Sequence, residues 1–161
     1  MNGFAVVLEL FLASSLLVAA SQKLLQTEAW RASRVDIAPD IPVTLWRSLP
    51  FVETLVGVGL AIGFRPWAGV AAVALFGMFG IVLAIAYRNG VRADCNCFGA
   101  FLPTKVGPVA IGRAIALALM SVALVRIGDP AAATGALALS VPLTVTALVS
   151  LYGTLRPMLS R

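Results

Sequence analysis

The sequence predicts an all-α protein, a polytopic membrane bundle of four to five transmembrane helices, and three observations predict it. The first is composition: 60% of the 161 residues are hydrophobic and 12% are charged, against about a quarter charged in soluble domains. The second is the mean hydropathy of +0.98 over the whole chain. A soluble fold of this size has too much surface to cover with so few charges, so lipid is the natural solvent. The third is the length of the apolar runs, five of which reach or approach the roughly 17–25 residues that cross a hydrocarbon layer.

The first run spans about Phe4 to Leu25, with Glu9 near its start and Lys23 near its end. It lacks the basic start of a signal peptide and exceeds a signal core in length, so it is expected to be a retained helix. The second, about Leu49 to Phe64, is short, and the third spans about Trp67 to Tyr87. The fourth spans about Val109 to Ile127 and the fifth about Ala131 to Tyr152, with a kink expected at Pro142. Arg65-Pro66-Trp67 and Gly128-Asp129-Pro130 are tight joints, each placing proline at the start of the next helix. Two longer loops remain, about Gln26 to Ser48 and about Arg88 to Pro108. Trp46, Trp67, Tyr87 and Tyr152 are expected at helix ends, where amphipathic rings favour the interface. Gly59 with Gly63 and Gly112 with Ala116 are small-xxx-small pairs suited to close packing within the bundle, or to homodimerisation. The whole chain, 1–161, is expected to form one integral membrane domain.

Alternating helix direction brings Lys23, Glu53, Arg88, Arg92, Asp94, Lys105 and Arg113 to one membrane face, together with both long loops. Glu9, Lys23, Glu53 and Arg113 sit within or at the edges of apolar helices, where a charge is costly and is explained by a partner or a function. Lys23 and Arg113 have long stems that can snorkel to head groups. Glu53 does not reach so far, and pairing with Lys23 or with Arg113 would offset its burial. Glu9 lies nearer the opposite face and is expected to have a structural partner.

The residue types that are absent narrow the chemistry. With no histidine, the chain lacks the commonest general base and transition-metal ligand. The net charge of +5 fits anionic lipid head groups in a chain this apolar, and no basic motif interleaved with aromatics points to nucleic acid. The remaining reactive groups are two thiols in Asp94-Cys95-Asn96-Cys97-Phe98-Gly99. A Cys-x-Cys disulfide closes a small strained ring, and strain makes it labile and oxidising, which suits exchange. Arg92, Lys105 and Arg113 would favour a thiolate, whereas Asp94 would oppose it or accept a proton. Gly99 suits a tight turn, with Phe98 anchoring the loop at the interface. Redox exchange through Cys95 and Cys97 competes with soft-metal capture by the same thiolates, in a small transporter or metal-handling protein. It also competes with two cysteines packed as small hydrophobes in a non-catalytic scaffold subunit. A single dithiol needs a partner to complete a redox cycle, either a thioredoxin-like protein or a quinone as electron acceptor.

The chain resembles the MauE family of methylamine-utilisation membrane proteins, related to DoxX-like proteins. The resemblance is carried by Gln22-Lys23-Leu24, by Leu49-Pro50 with Glu53, by Cys95-x-Cys97-Phe98-Gly99 and by Arg113. It implies a four- or five-helix protein of the cell (inner) membrane that assists maturation of a disulfide-rich partner beside a thioredoxin-like companion. It also implies cysteines on the outer side. The distribution of basic residues predicts the reverse, since all of the 12 Lys and Arg except Arg65 and Arg126 share the cysteine face, and basic residues mark the cytoplasm.

Overall fold

The computed structural model describes residues 3–94, 105–127 and 136–159. Within them the chain forms six helices: α1 (Gly3–Leu25), α2 (Thr27–Ile37), α3 (Val43–Ala61), α4 (Arg65–Arg88), α5 (Pro108–Ile127) and α6 (Ala136–Leu159). The protein is an all-α membrane helix bundle, and three helices are long and apolar enough to span: Gly3–Leu25, Pro66–Arg88 and Pro108–Ile127. A shorter apolar stretch, Ser140–Tyr152, lies within α6. α1 is central, packing on α3, α5 and α6, while α4 packs on α3 and α5.

Burial inverts the soluble pattern. Phe4, Phe11, Phe51, Leu55, Trp67, Ile81, Leu119 and Leu148 point outward, whereas Glu9, Gln22, Lys23, Glu53 and Ser121 are buried. Outward apolar side chains gain from lipid, and inward polar ones escape it. Hydroxyls inside the helices bond back to their own backbone, as Ser14 Oγ does to the Leu10 carbonyl at 2.7 Å and Ser121 Oγ to that of Leu117 at 2.9 Å. They therefore make no further demand on the hydrocarbon.

Three expectations are corrected. The segment Gln26 to Ser48 is not a loop but contains α2 and the first turns of α3. α2 was hidden because it is amphipathic and charged: Trp30, Ser33 and Ile37 face the bundle, and Glu28, Arg31 and Asp36 face away. α3 begins at Val43, so Pro50 lies inside the helix rather than at its start. Trp46 is consequently buried, not interfacial, whereas Trp67 and Tyr152 are exposed. α4 and α5 agree with expectation to within two residues, and α6 runs through Pro142, whose carbonyl accepts a 2.7 Å hydrogen bond from Thr146 Oγ1.

The joints have local causes. α3 and α4 both end on glycines at φ 81°, Gly63 and Gly90. In each cap the following amide reaches back five residues, Phe64 to Gly59 at 2.8 Å and Val91 to Ala86 at 3.0 Å. This left-handed cap satisfies the last carbonyls and turns the chain sharply. Of the small-residue pairs, Gly59 does pack within the bundle, since a Cβ there would meet that of Ala68 at 3.1 Å. Gly112 and Ala116 are instead on the outer surface.

Gly69 sets the approach of α4 to α5, because a Cβ there would lie 2.8 Å from Val125 Cγ2. Gly69→Leu is expected to destabilise the bundle by about 1–3 kcal/mol through overpacking. Gly77→Ala, with nothing within 4 Å, should be neutral or slightly stabilising. Thermal unfolding in detergent would compare the two, and equal losses would contradict the assignment.

Candidate functional site

The polar residues spread along the sequence converge at one place. Lys23, near the end of α1, donates to Glu53 Oε1 in the middle of α3, and both side chains are 1% exposed. Of the two pairings open to Glu53, the structure forms this one. Arg113, a turn and a half into α5, lines the same small cavity as Lys23, Glu53, Phe76, Phe79 and Leu83. The cavity measures about 30 Å³, room for roughly one or two water molecules. The second Glu53 oxygen, Oε2, is buried and has no hydrogen-bond partner among the described residues. Gln22 is buried one residue before Lys23, with its carbonyl accepting from Gln26 Nε2 at 3.3 Å.

A buried ion pair carries a large desolvation cost, which good geometry and further interactions must offset. Here aromatic rings supply part of that offset. The Lys23 ammonium lies 4.9 Å from the Trp30 ring centroid and 4.7 Å from that of Phe79. Both rings present a negative face to the cation, an attraction of about 2 kcal/mol or more in a desolvated setting. Trp30 comes from α2, which therefore acts as a cover over the pair.

What holds α2 in place begins with Pro50. A proline inside a helix has no N–H for the carbonyl four residues earlier, which in α3 is that of Trp46. The Trp30 indole Nε1 donates to that carbonyl at 3.3 Å, and the Trp46 indole donates to the Trp30 carbonyl at 2.9 Å. The two rings stack with centroids 4.3 Å apart and planes 11° from parallel. The gap left by Pro50 is thus filled from α2. Arg34 fastens the other end of α2, donating to the carbonyls of Pro39 at 3.0 Å and Ile41 at 2.9 Å.

The remaining candidates are more dispersed. Arg92 sits over the Tyr87 ring at 4.2 Å and donates to the carbonyls of Tyr87 and Val91, so its guanidinium is committed to the end of α4. Asp94 and Lys105 form an antiparallel backbone bridge, beside which the Val106 amide donates to the Ala93 carbonyl at 2.9 Å. Val106 itself is buried in the core. The cysteine segment thus has both its ends fixed at one point, between α4 and α5. Cys95, Cys97, Phe98 and Gly99 lie outside the described residues. Glu9 is fully buried, about 21 Å along α1 from Lys23 at 1.5 Å per residue.

Reading the sequence located Lys23, Glu53 and Arg113 but missed Trp30, Trp46 and Phe79. The signal for the tryptophans was available in the spacing: Trp46 stands four residues before Pro50, where a carbonyl must find an outside donor. No curated protein and no solved structure matches the chain. Residues 1–127, the first five helices, match the family described as methylamine utilisation protein MauE, and the chain belongs to that family.

Proposed function

We propose that this protein carries out thiol–disulfide exchange through Cys95 and Cys97, serving disulfide-linked maturation of a partner together with a thioredoxin-like protein in the inner membrane. Membership of a family named for methylamine utilisation supports the setting. The observation that carries the reading is the backbone bridge of Asp94 to Lys105. It fixes the chain immediately before Cys95 and ties both ends of a short segment that contains the chain's two thiols. Lys23, Glu53 and Arg113 are the proposed electrostatic surround.

The exchange balances without any metal. One thiolate attacks a sulfur of the partner disulfide, forming a mixed disulfide and expelling the partner's other sulfur as thiolate. The second cysteine then attacks the mixed disulfide. The partner leaves as a dithiol, having gained two electrons, and Cys95–Cys97 is left as the disulfide. The reverse sequence oxidises the partner instead, and the redox poise of the compartment sets the direction.

Cys95→Ala and Cys97→Ala test the proposal in intact cells. The variant lacking the resolving cysteine should accumulate a mixed disulfide with the thioredoxin-like protein, visible on non-reducing gels. The double variant should trap nothing, and the partner should fail to mature. Normal maturation in the double variant, with no adduct in either single one, would refute exchange and favour a scaffold. Labelling with an impermeant maleimide reports the side: outside for maturation of an exported partner, inside if the basic residues decide.

A further inference from the structure

A second, larger opening lies on the flank of the bundle. It is a cleft of about 700 Å³ between α1, α5 and α6, lined by Phe11, Val18, Ala116, Met120 and Val145 among others. That volume falls within the roughly 300–1,000 Å³ of small-molecule sites. Its residues on α1 run from Val7 to Val18, about 16 Å along the helix at 1.5 Å per residue. The cleft is therefore a long apolar slot aligned with a spanning helix. The two hydroxyls that line it, Ser14 and Ser15, donate to the carbonyls of Leu10 and Phe11, at 2.7 and 2.8 Å.

One charged side chain lines this slot among the described residues, and it is Arg113, which also lines the Lys23–Glu53 cavity. Arg113 thus borders both a hydrocarbon-sized slot and the cavity of a buried ammonium–carboxylate pair. A ligand suited to this place has a long apolar tail and a compact head that accepts hydrogen bonds. A phospholipid fits less well. Its anionic phosphate calls for several donors, whereas Arg113 is the one charged residue lining the slot among the described residues. A phospholipid also gives the adjoining ion pair nothing to do. A quinone head accepts hydrogen bonds at its carbonyl oxygens without carrying charge, and its reduction consumes protons beside groups that hold them.

We propose that the cleft between α1, α5 and α6 binds an isoprenoid benzoquinone, with its carbonyl head at Arg113. α6 closes the slot from beyond the residues that match the family. As electron acceptor the ligand rests on the exchange reading above: two thiols and one quinone yield one disulfide and one hydroquinone, with two electrons and two protons passing from sulfur to quinone oxygen.

Binding is tested apart from redox chemistry, using the full chain in lipid nanodiscs and decyl-benzoquinone as the probe. The Cys95→Ala/Cys97→Ala protein should retain the probe as well as the unaltered protein does. Ala116→Phe, which fills the slot from an exposed position and leaves the ion pair intact, should weaken retention about tenfold or more. Arg113→Gln should weaken it as well. Equal retention by Ala116→Phe, no retention by the unaltered protein, or a co-purified phospholipid that the probe does not displace would each overturn the site. Saturable binding without oxidation of the cysteines would support the site and refute its role as electron acceptor, leaving the exchange reading to the cysteine variants above.

Discussion

Lys23→Met is expected to cost the bundle about 3–5 kcal/mol, the usual penalty for leaving one member of a buried ion pair behind. The substitution keeps the length of the side chain and removes its charge, so lost volume is not the cause. What remains is a carboxylate no longer bonded to an ammonium, in a cavity whose walls are Leu16, Phe76, Phe79 and Leu83 and whose other charged lining residue is Arg113. Glu53→Leu should cost a similar amount by leaving the ammonium. The Lys23→Met/Glu53→Leu double variant should lie within about 1–2 kcal/mol of the unaltered protein, because an apolar pair of similar volume avoids the desolvation of both charges. Unfolding by titration with a denaturing detergent would give all four corners of the cycle. Additive losses would mean that the two groups are not coupled as the geometry requires. If the double variant is stable but inactive in partner maturation, the pair is kept for chemistry rather than for folding.

Trp30→Ala is expected to be as damaging, at about 3–5 kcal/mol, the usual range for truncating a buried large aromatic side chain. Three losses combine: the stacked partner of Trp46, one ring over the Lys23 ammonium, and the donor to the Trp46 carbonyl. Trp30→Phe separates them, keeping a ring and removing the N–H, and should cost about 1–3 kcal/mol for the orphaned carbonyl. Pro50→Ala restores a backbone N–H at the place where α3 lacks one. Adding Pro50→Ala to Trp30→Phe should therefore recover much of the loss, whereas Pro50→Ala alone should change little. Melting followed by tryptophan fluorescence would show it. A double variant as unstable as Trp30→Phe alone would disprove the link between the proline and the indole.

The helices most legible in the sequence are those whose only physics is hydrophobic length. α1, α4 and α5 are continuous apolar runs, and their ends match within two residues of the structure. α2 was illegible because a surface helix leaves no long apolar run. Its signal is the spacing of Trp30, Ser33 and Ile37 among charges. α3 begins at Val43 rather than near Leu49 because its first turns, with Pro50 inside the helix, are held by contact with α2 and not by an apolar run. In the site, Lys23, Glu53 and Arg113 stood out because charge in an apolar run is costly. That Lys23 rather than Arg113 takes the carboxylate is a matter of reach across packed helices, which no local pattern encodes. The aromatic cover has a different cause: its local signal exists, but a tryptophan near a helix end looks interfacial unless the proline four residues later is recognised as making its carbonyl a docking point.

Pro50 also bears on how the molecule assembles. Helices that enter lipid one by one are each expected to be self-sufficient before they associate. α3 is not, because the carbonyl of Trp46 stays unmet until a segment that does not itself cross the bilayer settles onto it. Settling of that amphipathic segment is thus built in as a late step, and the same step places an indole over the Lys23 charge. Construction of the ion-pair pocket and completion of the third helix are one event.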